Sequence, residues 1–273
     1  MTTLQCGRYR LDLSRPRVMA ILNLTDDSFS GDGFGDRFDE LMRRAEQVLE
    51  QGADMLDIGA ESTRPGSEPV PQAQEVERIE RALIRLRTLD VPISVETLKP
   101  AVMRAAVAAG ADMINDINAF QAPGAIEAVA ETGLGLCVMH MQGMPRTMQV
   151  QPAYNDVVQE VSNFLHARVR ALEAAGVARE RIVLDPGFGF GKTVEHNFTL
   201  LRELSCFGLE GLAVLAGLSR KSMLGAVTGK PVSERMPASV AAALIAVQRG
   251  AGIVRVHDVA ATCDALKVWA AVS

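Results

Sequence analysis

The chain has 273 residues, of which 48% are apolar and 22% charged, enough to bury a large core and too apolar for a disordered protein. Its formal charge of −5 and its 4% aromatic content exclude a broad basic face that stacks bases, which leaves a small molecule as the expected partner and no nucleic acid. The four cysteines, Cys6, Cys137, Cys206 and Cys263, are scattered, with no CxxC pair and no histidine at metal-ligand spacing, so they read as reduced packing residues of a cytoplasmic protein.

In chain order, the opening MTTLQCGRYR lacks the apolar run of a signal peptide, and residues 4–13 suit a hairpin. A first core strand is predicted at 18–24, then a Gly/Asp-rich loop and a helix over 37–51 closed by Gly52 as a C′ glycine. Short, nearly continuous apolar runs follow at 55–59, 93–95, 113–116, 136–140, 182–185, 213–217 and 253–257. A helical stretch separates each from the next, which is the pattern of parallel strands buried on both faces. A long helix is expected over 155–175 and an Ala-rich one over 233–249, the latter packed closely on the sheet or in a subunit interface. No stretch approaches the ~20 apolar residues of a membrane span, and none suits a domain linker. The expectation is one α/β domain over 1–273, a (β/α)8 TIM barrel with a short N-terminal β-hairpin. A doubly wound open sheet shares this pattern, because sequence alone does not prove closure.

In a barrel the C-terminal ends of the strands converge on one face, where sites are built, so those ends carry the chemistry. Strand one ends in Asn23, then Thr25-Asp26-Asp27-Ser28-Phe29-Ser30-Gly31-Asp32-Gly33, a loop that reads either as a lid with Phe29 as its plug or as plain surface. Strand two leads to Glu61-Ser62-Thr63-Arg64-Pro65-Gly66, which holds an arginine able to grip a carboxylate bidentately. Strands three, four and six bring Glu96, Asn115, Asp116 and Asp185, acceptors suited to a flat heterocycle with an amidine-like donor edge. Each of these four equally suits a helix cap or a turn.

The run Asp185-Pro-Gly-Phe-Gly-Phe-Gly-Lys192-Thr193 is not a P-loop, because Pro186 stands where that motif needs glycine. Its glycines instead let backbone approach a ligand, with Phe188 and Phe190 as apolar walls. After strands seven and eight come Ser219-Arg220-Lys221 and Arg255-Val256-His257, where barrels commonly hold phosphate; a solvated cationic surface is the other reading. Arg255 and His257, two apart on a strand, are expected to point to one side. His140, His166 and His196 stand alone and read as structural.

At these segments the chain closely resembles the dihydropteroate synthase family, in Ile21-Leu22-Asn23-Leu24-Thr25, Asp27-Ser28-Phe29-Ser30, Glu61 to Gly66, Asn115-Asp116-Ile117, Met139-His140-Met141-Gln142-Gly143, the Asp185 to Lys192 run, Ser219 to Ser222 and Arg255 to Asp258. The resemblance implies a homodimeric transferase, a sulfonamide target, that joins (7,8-dihydropterin-6-yl)methyl diphosphate to 4-aminobenzoate and releases pyrophosphate. It implies a pterin grip by Glu96, Asn115, Asp185 and Lys221, with Asp185, Lys221 and Glu96 in catalysis. It further implies a diphosphate grip by Asn23, Arg255 and His257 with Mg²⁺ at Asn23, and an aminobenzoate side of Thr63, Arg64, Pro65, Phe190 and Ser219.

Two departures stand out. The family usually carries Asp where this chain has Glu96, in Glu96-Thr97-Leu98-Lys99-Pro100, and the extra methylene displaces the carboxylate by about a bond length. Asp26 replaces a usual Pro, and Gly31-Asp32-Gly33 replaces Asp-Gly-Gly, changes expected to loosen the loop and alter aminobenzoate or sulfonamide binding. Methyl transfer between a methylated folate and a corrinoid would use a similar pocket, as would a pterin-binding paralogue without turnover. The strand-one loop and the segments at 219–221 and 255–257 favour diphosphate chemistry.

Overall fold

The computed structural model describes residues 3–24, 34–62, 68–145, 147–208 and 211–272, with the backbone alone for 34–37. A two-stranded antiparallel hairpin, β1 (Thr3–Cys6) and β2 (Tyr9–Asp12), precedes eight parallel strands. These are β3 (Arg17–Asn23), β4 (Met55–Gly59), β5 (Ile93–Glu96), β6 (Met113–Asp116), β7 (Gly135–Met139), β8 (Ile182–Asp185), β9 (Ala213–Ala216) and β10 (Ile253–Val256). They pair in chain order and β10 returns to β3, so the sheet is a closed barrel and the open doubly wound alternative is ruled out.

Around it run α1 (Phe34–Glu50), α2 (Gln72–Leu86), α3 (Pro100–Ala109), α4 (Ala125–Val129), α5 (Val157–Ala174), α6 (Val194–Arg202), α7 (Ser222–Thr228), α8 (Met236–Gln248) and α9 (Val259–Ala270). Among the described residues no helix is long and apolar enough to cross a membrane. The expected elements are present with their ends shifted by a few residues. His140 and His257 lie one position beyond their strands, and α8 starts at Met236 because Pro237 fits the first helical turn, where no N–H is needed.

Alternation along each strand divides the interior in two. Val18, Ala20, Leu22, Leu56, Ile58, Val95, Ile114, Leu184 and Val254 pack outward against the helices in the main core. Their neighbours Met19, Met55, Met113, Cys137, Val183, Leu215 and Ile253 form a separate core with Leu4, Cys6 and Leu11 of the hairpin. Because both faces are dry, the strands show no hydropathy alternation, as expected of parallel strands covered on both sides. Several of the inner residues are the first of their strands, so the hairpin plugs the N-terminal floor of the barrel.

Polar contacts fasten that plug. Arg8 Nε meets Asp112 Oδ1 at 3.2 Å, and Arg17 Nη1 meets Asp54 Oδ1 at 2.9 Å. Gly7 makes the tight turn at φ +58°, where an added Cβ would fall 2.6 Å from Asp112 Cα. With the floor filled by the hairpin, the barrel interior is closed from its N-terminal end.

Candidate active site

On the inner face above the apolar floor, the side chains become polar. Strand register sets Asn23, Gly59, Glu96 and Asn115 as successive partners across β3 to β6, and Asp57 beside Ser94 one tier below. Arg255 of β10 reaches across the barrel, with Nε 2.6 Å from Asp57 Oδ2 and Nη2 2.5 Å from Glu96 Oε2. Burial works against its charge, but Asp57 and Glu96 more than compensate and hold the guanidinium firmly protonated. Asn115 Nδ2 lies 3.4 Å from the same Asp57 oxygen.

Three polar atoms of these two tiers, Asp57 Oδ1, Ser94 Oγ and Asn115 Oδ1, are buried without a hydrogen-bond partner among the described residues. Buried acceptors of this kind require donors, and a ligand rich in N–H groups supplies them. Asp185, from β8, is buried, and burial pushes its carboxyl up to about 6, against the Gly187 N–H and the charges of Lys221, Lys192 and Arg255. Its Oδ1 accepts from Gly187 N at 2.7 Å.

The glycine-rich run after Asp185 is built around a buried lysine. Lys192 Nζ donates to Gly187 O at 2.9 Å and Phe190 O at 3.0 Å, and lies 2.9 Å from His140 Nδ1. Desolvation, with Lys221 adding to it against the opposing pull of Asp185, lowers the Lys192 ammonium to about 7, and burial lowers His140 to about 3. A neutral His140 can accept from Lys192. Gly187 is at φ +71°, and a Cβ there would stand 1.8 Å from His140 O, so only glycine lets the run fold back onto β7.

The returned loop presents Phe190, over whose ring Lys221 Nζ stands 4.2 Å from the centroid. The loop after β9 is tied to the end of β10. Ser219 Oγ accepts from His257 N at 3.2 Å and lies 3.0 Å from His257 Nδ1, while Arg220 makes a bidentate pair with Asp258 at 3.1 and 2.6 Å.

Asn23 contributes one neutral oxygen-bearing side chain at the inner rim of β3. Among the described residues no group of three His, Cys, Asp or Glu could hold an ion. Asn23 could therefore hold a hard cation such as Mg²⁺ only together with oxygen donors from a ligand or water.

Comparison with known proteins names this arrangement. The family model for pterin binding enzymes matches residues 19–257. The dihydropteroate synthase of Haemophilus influenzae is 51% identical over 262 residues, 96% of this chain and 95% of that one. The chain belongs to the dihydropteroate synthase family of pterin-binding enzymes. Burkholderia cenocepacia dihydropteroate synthase complexed with 7,8-dihydropteroate shares the fold at a TM-score of 0.91 and 57% identity, over 99% of this chain and 96% of that one. Xanthomonas albilineans dihydropteroate synthase with 4-aminobenzoic acid matches at 0.93 and 49%, over 99% and 98%.

Within this family frame, the structure brings Glu96, Asn115, Asp185 and Arg255 to one inner surface and places Lys221 against Phe190 beside it. The expected lid with Phe29 and the residues Thr63, Arg64 and Pro65 lie outside the described residues. One expectation is corrected. Asp116 does not face the pocket: strand parity turns it outward from Asn115, and its carboxylate accepts from Asn118 N at 2.8 Å and Phe120 N at 2.6 Å to build a turn. Arg255 is held by two carboxylates, while His257 lies against Ser219.

Asp57 and Lys192 were not singled out from sequence. A carboxylate in the middle of Met55-Leu56-Asp57-Ile58-Gly59 was the available signal for the first. Lys192 is legible only once its partners Gly187 and His140 are in place.

Proposed function

We propose that this chain catalyses the dihydropteroate synthase reaction, condensing (7,8-dihydropterin-6-yl)methyl diphosphate with 4-aminobenzoate to give 7,8-dihydropteroate and pyrophosphate. The observation that carries this is the set of acceptors, buried Asp57, Asn115 and Asp185 and the partly buried Glu96, gathered about one guanidinium in a chain 51% identical to a dihydropteroate synthase. The 7,8-dihydropteroate and 4-aminobenzoic acid bound by the Burkholderia and Xanthomonas proteins are the product and substrate expected here.

In this reading Asp185, Asn115 and Glu96 accept from the donor edge of the pterin, while Lys221 and Phe190 line the neighbouring wall. The bond from the methylene carbon to the diphosphate oxygen breaks with its electron pair leaving on pyrophosphate. Positive charge then develops on the pterin methylene, and Asp185 and Glu96 stabilise it electrostatically. The arylamine nitrogen gives its lone pair to that carbon and loses a proton to solvent, so no protein nucleophile is required. Arg255 and His257 are the candidate diphosphate partners. Thr63, Arg64, Pro65, Phe190 and Ser219 form the aminobenzoate side. Asn23 would hold Mg²⁺, which when bound supplies charge neutralisation for the leaving group.

The test is pyrophosphate release on mixing the purified chain with both substrates. Methyl transfer to a corrinoid without pyrophosphate, or pterin binding without turnover, would replace this reading. Glu96→Asp, measured alongside, withdraws a carboxylate from Arg255 Nη2 and restores the family's usual side chain. It is expected to keep kcat within about tenfold of the parent, and a loss of a thousandfold would show that the longer side chain is required in this chain.

The four cysteines are free, in keeping with a reduced cytoplasmic setting. By family likeness we take the working unit to be a homodimer. Sedimentation equilibrium at micromolar concentration should return twice the 29.3 kDa chain mass, and a single-chain mass would reject the dimer.

A further inference from the structure

Lys99 stands at the N-cap of α3, immediately before Pro100. A lysine is poorly suited to that position, because its side chain cannot accept from the free N–H groups and its charge opposes the positive end of the helix dipole. Its use lies elsewhere. Nζ donates to Val70 O at 2.7 Å, to Glu61 Oε2 at 2.5 Å and to Glu75 Oε2 at 2.6 Å, which accounts for all three ammonium protons. Glu61 Oε2 also accepts from Val70 N at 2.8 Å.

Glu61 and Val70 are the two stems of the connection from β4 to α2, and Glu75 lies in the first turn of α2. Lys99 therefore ties both stems of that connection to each other and to the helix that follows. The same segment continues inward: Thr97 Oγ1 donates to Glu75 Oε1 at 2.7 Å and accepts from Lys99 N at 3.2 Å, Thr97 N donates to Asn115 O at 3.1 Å, and Glu96 holds Arg255.

We propose that Lys99 is a positioning residue for the aminobenzoate side of the reaction, fastening the two stems between which Thr63, Arg64 and Pro65 are carried. The inference rests on the reading of those three residues as aminobenzoate contacts. A plain structural ion cluster would lower stability when broken and leave the two substrates equally affected. A stem clamp instead separates them: the released stems lie between β4 and α2, whereas the pterin contacts Asn115 and Asp185 stand on β6 and β8, and Glu96 of β5 stays paired with Arg255.

The test uses the full chain with Lys99→Met, read by steady-state kinetics in both substrates and by hydrogen exchange of peptides spanning 60–72. KM for 4-aminobenzoate is expected to rise about tenfold while KM for the pterin diphosphate stays within about twofold. The Val70 amide, now deprived of its braced partner, should exchange faster. Where Lys99→Met fails to fold because Glu75 is left buried, Glu61→Gln carries the same test, with an expected rise of about threefold in KM for 4-aminobenzoate alone. Unchanged exchange over 60–72 in a folded variant overturns the clamp. Equal rises in both KM values overturn it in favour of a structural cluster. Faster exchange with both KM values unchanged instead removes the aminobenzoate assignment of the loop, and the inference with it.

Discussion

Asp185→Asn is expected to lower kcat by about 10²- to 10³-fold while leaving the fold intact and, at neutral pH, more stable than the parent. The two halves of that expectation come from one fact, the burial that pushes this carboxyl up to about 6. At pH 7 the group is ionised in a site where ionisation is resisted, and the resistance corresponds to a native-state cost on the order of 2 to 3 kcal/mol. An amide removes that cost and keeps an oxygen to accept from Gly187 N, whose bond to Oδ1 is 2.7 Å in the parent.

The sign follows from proton binding. Between the unfolded carboxyl value of 3.8 and the folded value of about 6 the native state holds the extra proton, so the parent loses stability as pH rises through that window. The advantage of Asp185→Asn should therefore be full above pH 6 and fade below pH 4, on the order of the two values just given. Differential scanning calorimetry at pH 4 and pH 8 reads it. Turnover moves the other way, because the negative charge is what stabilises the developing cation. In the parent, kcat/KM should decline on the acid side with an apparent pKa near 6, and that limb should be missing from the residual activity of the variant. Unchanged kcat would remove Asp185 from the mechanism.

How much of this was readable beforehand differs from residue to residue. The barrel was legible because eight short apolar runs alternate with helical stretches, and only closure, a matter of β10 meeting β3, needed coordinates. Asp185 was legible because a Pro-Gly turn marks the end of its strand. Asn115 and Asp116 were not separable, since they are adjacent and both lie at the end of β6. Strand parity alone turns one inward and leaves the other to hold Asn118 and Phe120.

The pairing of Arg255 with Asp57 and Glu96 spans most of the chain and leaves no local trace. The closeness of Arg255 and His257 in sequence does not foretell that, before any ligand arrives, Arg255 is held by carboxylates of β4 and β5 while His257 lies against Ser219. Lys99 has a similar history: it reads as part of a motif, yet its three acceptors come from the neighbouring βα unit.

Arg255→Met tests whether that guanidinium organises the pocket as well as serving the diphosphate. Its removal leaves Asp57, which is fully buried, and Glu96 without their cation, and breaking one side of a buried pair costs about 3 to 5 kcal/mol. In a domain of this size such a loss lowers Tm by on the order of 10 °C. The double variant Arg255→Met with Asp57→Asn removes the stranded charge along with its partner and should recover more than half of the loss, the mark of direct coupling between contacting residues. Both variants should lose turnover, because the acceptor tier is disordered in one and neutralised in the other. If Arg255 served the diphosphate alone, the single variant would raise KM for the pterin diphosphate and melt with the parent, and the double variant would gain nothing. Thermal melts of the parent and both variants, with KM measured for each, separate the two cases. A guanidinium held by carboxylates on β4 and β5 is already aimed when the ligand arrives, so preorganisation would be the reason a cation is kept among acceptors in the barrel interior.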